Sequence, residues 1–236
     1  MCGRYVRKGD KQRIAEAFHA KEVATLAMPD ADYNIAPTTY QPIVRQSKDT
    51  GERELVSVRW GLIPFFTKDM SQIKGLSTIN AKAETITTSP TWREPFKKRR
   101  CLVPVSAFYE WPKEGKSPKQ PYAFDLANGS MFAFAGIWDA WKDGEGRWLQ
   151  SFAIITTVAN ELMSRIHDRM PVILRPHNYE RWLDRGTTEQ PPVDLLMPYD
   201  ADEMEMHPAN PAVGNVRNNG PEMLTFPSGG AELNGA

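Results

Sequence analysis

The sequence predicts an α+β fold: a single β-rich domain built on a curved, barrel-like, mostly antiparallel sheet with a few short helices. Three observations predict it. The chain has 236 residues, 41% of them hydrophobic, which suffices for one sizeable core. Many short runs of β-branched and aromatic residues follow one another at irregular intervals, bounded by Gly, Pro and Asn. Helical periodicity is confined to a few brief stretches, unlike the regular alternation of a parallel α/β fold.

The first element is a helix over Asp10 to Ala20, where Ile14, Ala17 and Phe18 share one face and Asp10 can cap the start. Predicted strands are Pro42 to Gln46, Glu54 to Trp60, Arg100 to Val105, Pro121 to Leu126, Met131 to Ile137, Trp148 to Thr157 and Pro171 to Leu174. Asn128-Gly129 between two of these runs predicts a hairpin. Helical pieces fit Glu84 to Ser89, Asn160 to Ile166 and Pro176 to Leu183. One domain is expected over residues 1–226, followed by a small, polar, disordered tail over 227–236.

The 29 basic and 29 acidic residues cancel, which excludes a protein that coats polyanions by bulk charge. Any nucleic-acid contact must come from a local patch. No run approaches the roughly 20 apolar residues of a spanning helix, and MCGRYVRKGD lacks a signal peptide's apolar core, so an intracellular protein is expected, with no membrane partner. Cys2 and Cys101 are then expected as free thiols. Neither they nor His19, His167, His177 and His207 show metal-ligand spacing, and no metal or other cofactor is expected.

Cys2 is the most informative position. Removal of Met1 would make it the mature N-terminus, a 1,2-aminothiol whose amine titrates near about 7.7 to 8.0 and whose thiol titrates at about 8.5. The amine can add to an aldehyde as an imine, and the thiol can close a five-membered thiazolidine; an internal cysteine cannot. Taken alone, Cys2 reads rather as a small residue at the start of a strand. Three segments add to it. Ser77 to Thr85 brings the Asn80 amide, the Lys82 ammonium and the Glu84 carboxylate together, although Asn80 also suits a turn. In Phe108-Tyr109-Glu110-Trp111, strand alternation puts Glu110 on the face of Phe108, where desolvation would raise its pKa for acid and base work; a structural ion pair is the competing reading. His167-Asp168-Arg169 sits at a helix-to-strand break, a common place for active-site groups. Phe65 and Phe66 end a strand in a turn and would stack on bases if exposed, or fill a core if not. Arg4, Lys82, Arg93 and the run Lys97 to Arg100 are phosphate-binding candidates, although such a run also suits a solvated face.

Together Met-Cys-Gly-Arg, Tyr33-Asn34-Ile35-Ala36-Pro37, Arg59-Trp60-Gly61-Leu62-Ile63-Pro64, Asn80-Ala81-Lys82-Ala83-Glu84-Thr85, Arg100-Cys101-Leu102-Val103-Pro104, Phe108-Tyr109-Glu110-Trp111, His167-Asp168-Arg169-Met170-Pro171 and Val213-Gly214-Asn215-Val216-Arg217-Asn218 resemble one family, in order, to about Glu222. It is the SOS-response-associated peptidase family, also called abasic site processing proteins. The resemblance implies a protein of the DNA damage response that crosslinks itself to abasic sites in single-stranded DNA, with autocatalytic removal of Met1; a Schiff base at Cys2 would in addition permit β-elimination, a weak DNA lyase activity. By matched position, Cys2 would be the crosslinking residue, Asn80 an orienting amide, Glu110 the acid and base, and His167 an assisting histidine. Arg4, Asn34, Pro37, Phe65, Phe66 and Lys82 would contact DNA, the two Phe rings at a single-strand to double-strand junction. Lys82 stands where Arg is common, and Pro90 stands where some members have a DNA-contacting Arg that Arg93 would have to replace. A monomer is expected, with the replication machinery as a candidate partner. Two other functions fit the same residues: a cysteine peptidase acting on other proteins through Cys2, His167 and Asn80, and a non-covalent single-stranded or modified-DNA binding module using Phe65 and Phe66.

Overall fold

The computed structural model describes residues 2–22, 28–73, 77–113, 119–186 and 189–227. Met1 and the expected tail from residue 228 onward lie outside them. The strands are β1 (Arg4–Lys8), β2 (Lys21–Glu22), β3 (Ala31–Ile35), β4 (Tyr40–Gln46), β5 (Arg53–Trp60), β6 (Asn80–Lys82), β7 (Arg100–Val105), β8 (Ala107–Glu110), β9 (Tyr122–Leu126), β10 (Phe132–Lys142), β11 (Trp148–Val158), β12 (Arg169–Pro171), β13 (Ile173–Leu174) and β14 (Met204–Pro208). The α-helices are α1 (Lys11–Phe18), α2 (Arg93–Lys98), α3 (Glu161–Ser164) and α4 (Tyr179–Leu183), with short 3-10 turns between elements.

The α+β class is as expected, and the curvature resolves into two sheets. Strands β11, β10, β7, β4 and β5 pair in that order, and β5 returns to β11 in parallel through Arg59 opposite Ser151 and Trp60 opposite Phe152, closing a five-stranded barrel. The second sheet is antiparallel, in the order β14-β9-β8-β1-β3. Alternation along the barrel strands divides their side chains between two cores. Cys101, Val103, Phe134, Phe152 and Trp60 join Tyr5 and Phe108 of the second sheet, and Cys2 before it, in one. Leu102, Ala133, Ala135 and Ile155 join Phe18, Phe96 and Trp182 of the helices in the other.

The Asp10 cap forms, its Oδ1 accepting the Arg13 N–H at 2.8 Å. Helix α1 stops at His19, whose φ of 50° is left-handed. Four expectations need correction. Asn128-Gly129 turns, with the Gly129 N–H donating to Leu126 at 2.8 Å, but joins no hairpin: β9 pairs with β8 and β14, whereas β10 pairs with β7, β11 and β13. The turn carries the chain from one sheet to the other. Pro171 to Leu174 is two strands, because Pro171 pairs with β11 and Ile173 with β10. The Glu84 to Ser89 helix is a 3-10 turn at Ala83–Thr85 followed by further turns. Strand β10 continues five residues beyond Ile137, paired with β11 throughout.

Candidate active site

Cys2 precedes β1, the strand between β8 and β3. Arg4 lies opposite Tyr109 in the antiparallel pair, so extending that register brings Gly3 level with Glu110. The sequence thereby delivers its second residue to the carboxyl that ends β8. Cys2 is fully buried. Its anchor is Asn80, the first residue of β6, whose Nδ2 donates to the Cys2 carbonyl at 2.9 Å. Asn80 is placed by the parallel pairing of β6 on β11, opposite Ile154. Its Oδ1 is buried and accepts no hydrogen bond among the described residues. An acceptor left in that state is costly, and it is available to a ligand.

Glu110 is buried on the Phe108 side of β8, as alternation predicts. Burial pushes its carboxyl above the ordinary carboxylate range, opposed by the positive charge of the chain terminus and the Trp111 N–H. Burial likewise pushes the Cys2 thiol far up, reinforced by the Glu110 charge. His167 follows α3, which Asn160 caps by accepting the Met163 N–H at 2.8 Å. Desolvation, then the terminal charge, lowers the His167 pKa, with Asp168 opposing. Its Nδ1 accepts the Arg169 N–H at 3.0 Å and also lies 3.0 Å from the exposed Asp168 carboxylate. The lowered pKa favours the neutral ring with Nδ1 as acceptor, while Asp168 pairs with Lys113 at 2.5 Å. Arg169 serves the scaffold, forking onto Glu84 and donating to the Thr156 carbonyl at 2.7 Å.

The DNA-binding candidates divide into anchors and exposed groups. Arg4 donates to Asn34 Oδ1 and to the Val213 carbonyl, each at 2.8 Å. Asn34 is buried and spreads its two amide hydrogens over the carbonyls of Val213, Asn215 and Asn218 at 2.7 to 3.1 Å. This pair fastens residues 213–218 beside β1. Replacing Asn34 with Ala should cost about 1–3 kcal/mol, read as a lower denaturation midpoint, because three carbonyls lose a donor. Pro37 leads into Thr38, whose φ of 73° is an outlier for a β-branched residue and whose N–H donates to the Trp60 carbonyl at 2.9 Å. Lys82 is exposed at the end of β6, and Arg93 is exposed at the start of α2. The run Lys97 to Arg100 is only partly solvated: Arg100 is buried against the carbonyls of Trp182, Phe96 and Lys97, and Lys98 pairs with Glu94.

Phe65 and Phe66 are 54% and 50% exposed, edge to face with ring centroids 5.4 Å apart. Their turn is rigidly held. The Ile63 N–H donates to Ser151 Oγ at 2.8 Å, the Phe65 N–H to Asp139 Oδ2 at 3.0 Å, and Trp141 Nε1 to the Thr67 carbonyl at 2.6 Å. Asp139, buried and also 3.1 Å from Arg99, escaped the reading of the sequence. Its signal was there: an acid in strand register with buried Ile137 and Trp141. Asp139→Ala should destabilise the fold by about 2 kcal/mol in denaturant titration, since a charged acceptor is lost from a backbone N–H and a guanidinium.

Residues 1–216 match the family model described as SOS response associated peptidase (SRAP). The chain is 39% identical over 225 residues to abasic site processing protein YoqW of Bacillus subtilis, covering 95% of this chain and 99% of that protein. It is 32% identical over 227 residues to abasic site processing protein HMCES of Mus musculus, covering 81% of this chain and 64% of that protein. A crystal structure of a Bacteroides thetaiotaomicron protein superimposes with a TM-score of 0.85 at 27% identity, over 96% of this chain and all of that one. A barrel whose second residue is anchored by Asn80 beside Glu110, in a sequence matched over nearly its whole length, makes this chain a member of the SOS response associated peptidase family.

Proposed function

We propose that this chain processes abasic sites in single-stranded DNA by covalent capture, through Cys2 as the N-terminal residue left when Met1 is removed. The names of its relatives support abasic-site processing. One observation carries the covalent reading: Asn80 grips the backbone of Cys2, and not its sulfur, one residue from the point level with Glu110. A grip on the main chain positions the α-nitrogen. The thiol is held protonated by burial, which suits a second step better than a first.

Glu110 transfers a proton to open the abasic sugar to its aldehyde. The neutral amine of Cys2 adds to the aldehyde carbon, and loss of water gives the C=N bond. Sγ then adds to that carbon, and the thiol proton ends on the ring nitrogen, closing the thiazolidine. Asn80 Oδ1 accepts from the opened sugar, and neutral His167 relays protons. The imine stage also permits β-elimination, a weak lyase activity, and the same groups serve reversal. Exposed Phe65 and Phe66 stack at a strand junction, with Lys82 and Arg93 on phosphates. The protein's own groups or an aminopeptidase would remove Met1, and intact mass with and without Glu110 separates the two.

In the chain that still carries Met1, burial of the Cys2 thiol disfavours the thiolate, paired with its base, that a cysteine peptidase acting on other proteins needs. The test is a denaturing gel of mature protein incubated with single-stranded DNA carrying one abasic site. A shifted band is expected; its absence at saturating protein would leave only non-covalent binding.

A further inference from the structure

We propose that the cleft beside Asn80, lined by Arg59, Met70, Ile73 and Ile79 between Thr38 and Gly61, holds the unstacked nucleobase of a nucleotide flanking the abasic sugar. The inference rests on the proposed function and adds a base-binding subsite to it. The cleft, about 540 Å³, is large enough for a base and its sugar. Two of its lining residues adjoin site candidates in the chain, since Ile79 directly precedes Asn80 and Thr38 directly follows Pro37. The Ile79 carbonyl is itself fixed by Trp60 Nε1 at 3.0 Å.

The chemistry of the walls selects a flat, amphipathic ligand. Met70, Ile73 and Ile79 supply an apolar surface for a ring face, with the thioether able to adapt its shape. Arg59 supplies a planar cation, and its Nη1 is pinned to the Gly61 carbonyl at 2.7 Å, so the guanidinium is oriented before any ligand arrives. A guanidinium plane stacks on bases of any identity. Gly61 is required for this: its φ is 114°, and a Cβ there would meet Arg59 Nη1 at 3.1 Å. Thr38, across the cleft, carries the left-handed φ noted above, a conformation that persists where surroundings enforce it and that clusters at ligand clamps.

The lesion also creates the need for such a place. An abasic residue carries no base, so the base beside it already lacks a stacking partner on that side when the sugar is drawn in to the buried Cys2. A second stacking surface next to the entry offsets that loss.

The experiment compares single-stranded oligonucleotides with one abasic site whose 5′ or 3′ neighbour is either adenine or a base-less tetrahydrofuran residue. At subsaturating wild-type protein, removing the base on one side should slow adduct formation about 5- to 150-fold, the range for losing one stacked base. Arg59→Ala and Met70→Asp should lose the same factor on the adenine substrate and nothing on its base-less counterpart. Equal rates for wild type on all neighbours, or equal losses by the variants on both substrates, overturn the subsite. If no adduct forms with any DNA, the covalent reading has failed instead. Fluorescence anisotropy of Cys2→Ala protein on the same sequences, with tetrahydrofuran at the abasic position, then decides the subsite alone: weaker binding without the flanking base supports it, and unchanged binding overturns it.

Discussion

Cys2→Ala should abolish the denaturation-resistant adduct with abasic single-stranded DNA, while Cys2→Ser should give an adduct that survives the gel only after borohydride reduction. The distinction follows from which half of the aminothiol each change removes. Serine keeps the N-terminal amine and so still condenses to an imine, which water reverses; it lacks the thiol that closes the ring. Alanine keeps the amine too, so reduction should trap a small amount of its imine as well. The unreduced band is therefore the readout that belongs to sulfur. Neither change should unfold the barrel, since the Asn80 contact is made to the residue 2 carbonyl and not to its side chain. An unreduced band persisting in Cys2→Ala would move the nucleophile elsewhere.

Glu110→Gln should slow adduct formation by about 10²- to 10⁴-fold, the usual contribution of a positioned acid or base, and should stabilise the unliganded protein at the same time. The sign follows from the raised carboxyl. In the folded chain the charged form is penalised, so at pH values above the folded pKa the wild type carries a cost that the amide does not. Below the ordinary carboxylate value of about 4.3, both folded and unfolded Glu110 are protonated and the difference vanishes. Guanidinium midpoints of the two proteins should therefore diverge at pH 8, with the variant higher, and converge near pH 4. A variant that is both slow and less stable at pH 8 would mark Glu110 as a structural partner.

How much of this was legible without coordinates depended on whether a residue's partners are close in sequence. Glu110 was placed correctly because strand alternation with Phe108 is a local rule. The Asp10 cap was equally local. Asn128-Gly129 was misjudged because its turn chemistry is local whereas the choice of sheet for β9 and β10 is not. The exposure of Phe65 and Phe66 was undecidable from an apolar run, and their support comes from Asp139 and Trp141 in a strand more than seventy residues away. Arg100 looked like one of four surface cations because its carbonyl acceptors, from Trp182 among others, are gathered only by the fold. Arg4 and Asn34 could be matched as a pair of polar residues near the start, but their three clamped carbonyls belong to the last part of the domain.

That clamp has a consequence for biosynthesis. Cys2 lies just before β1, yet β1 needs β8, and Arg4 and Asn34 need the carbonyls of residues 213–218. Ribosomes add roughly 5–20 residues per second, so the emerging Cys2 waits on the order of ten seconds or more before its final shelter exists. During that interval its thiol is an ordinary accessible one, open to oxidants and free aldehydes. The surroundings of Cys2 are thus complete only after residues 213–218 have been fastened to Arg4 of β1 and Asn34 of β3.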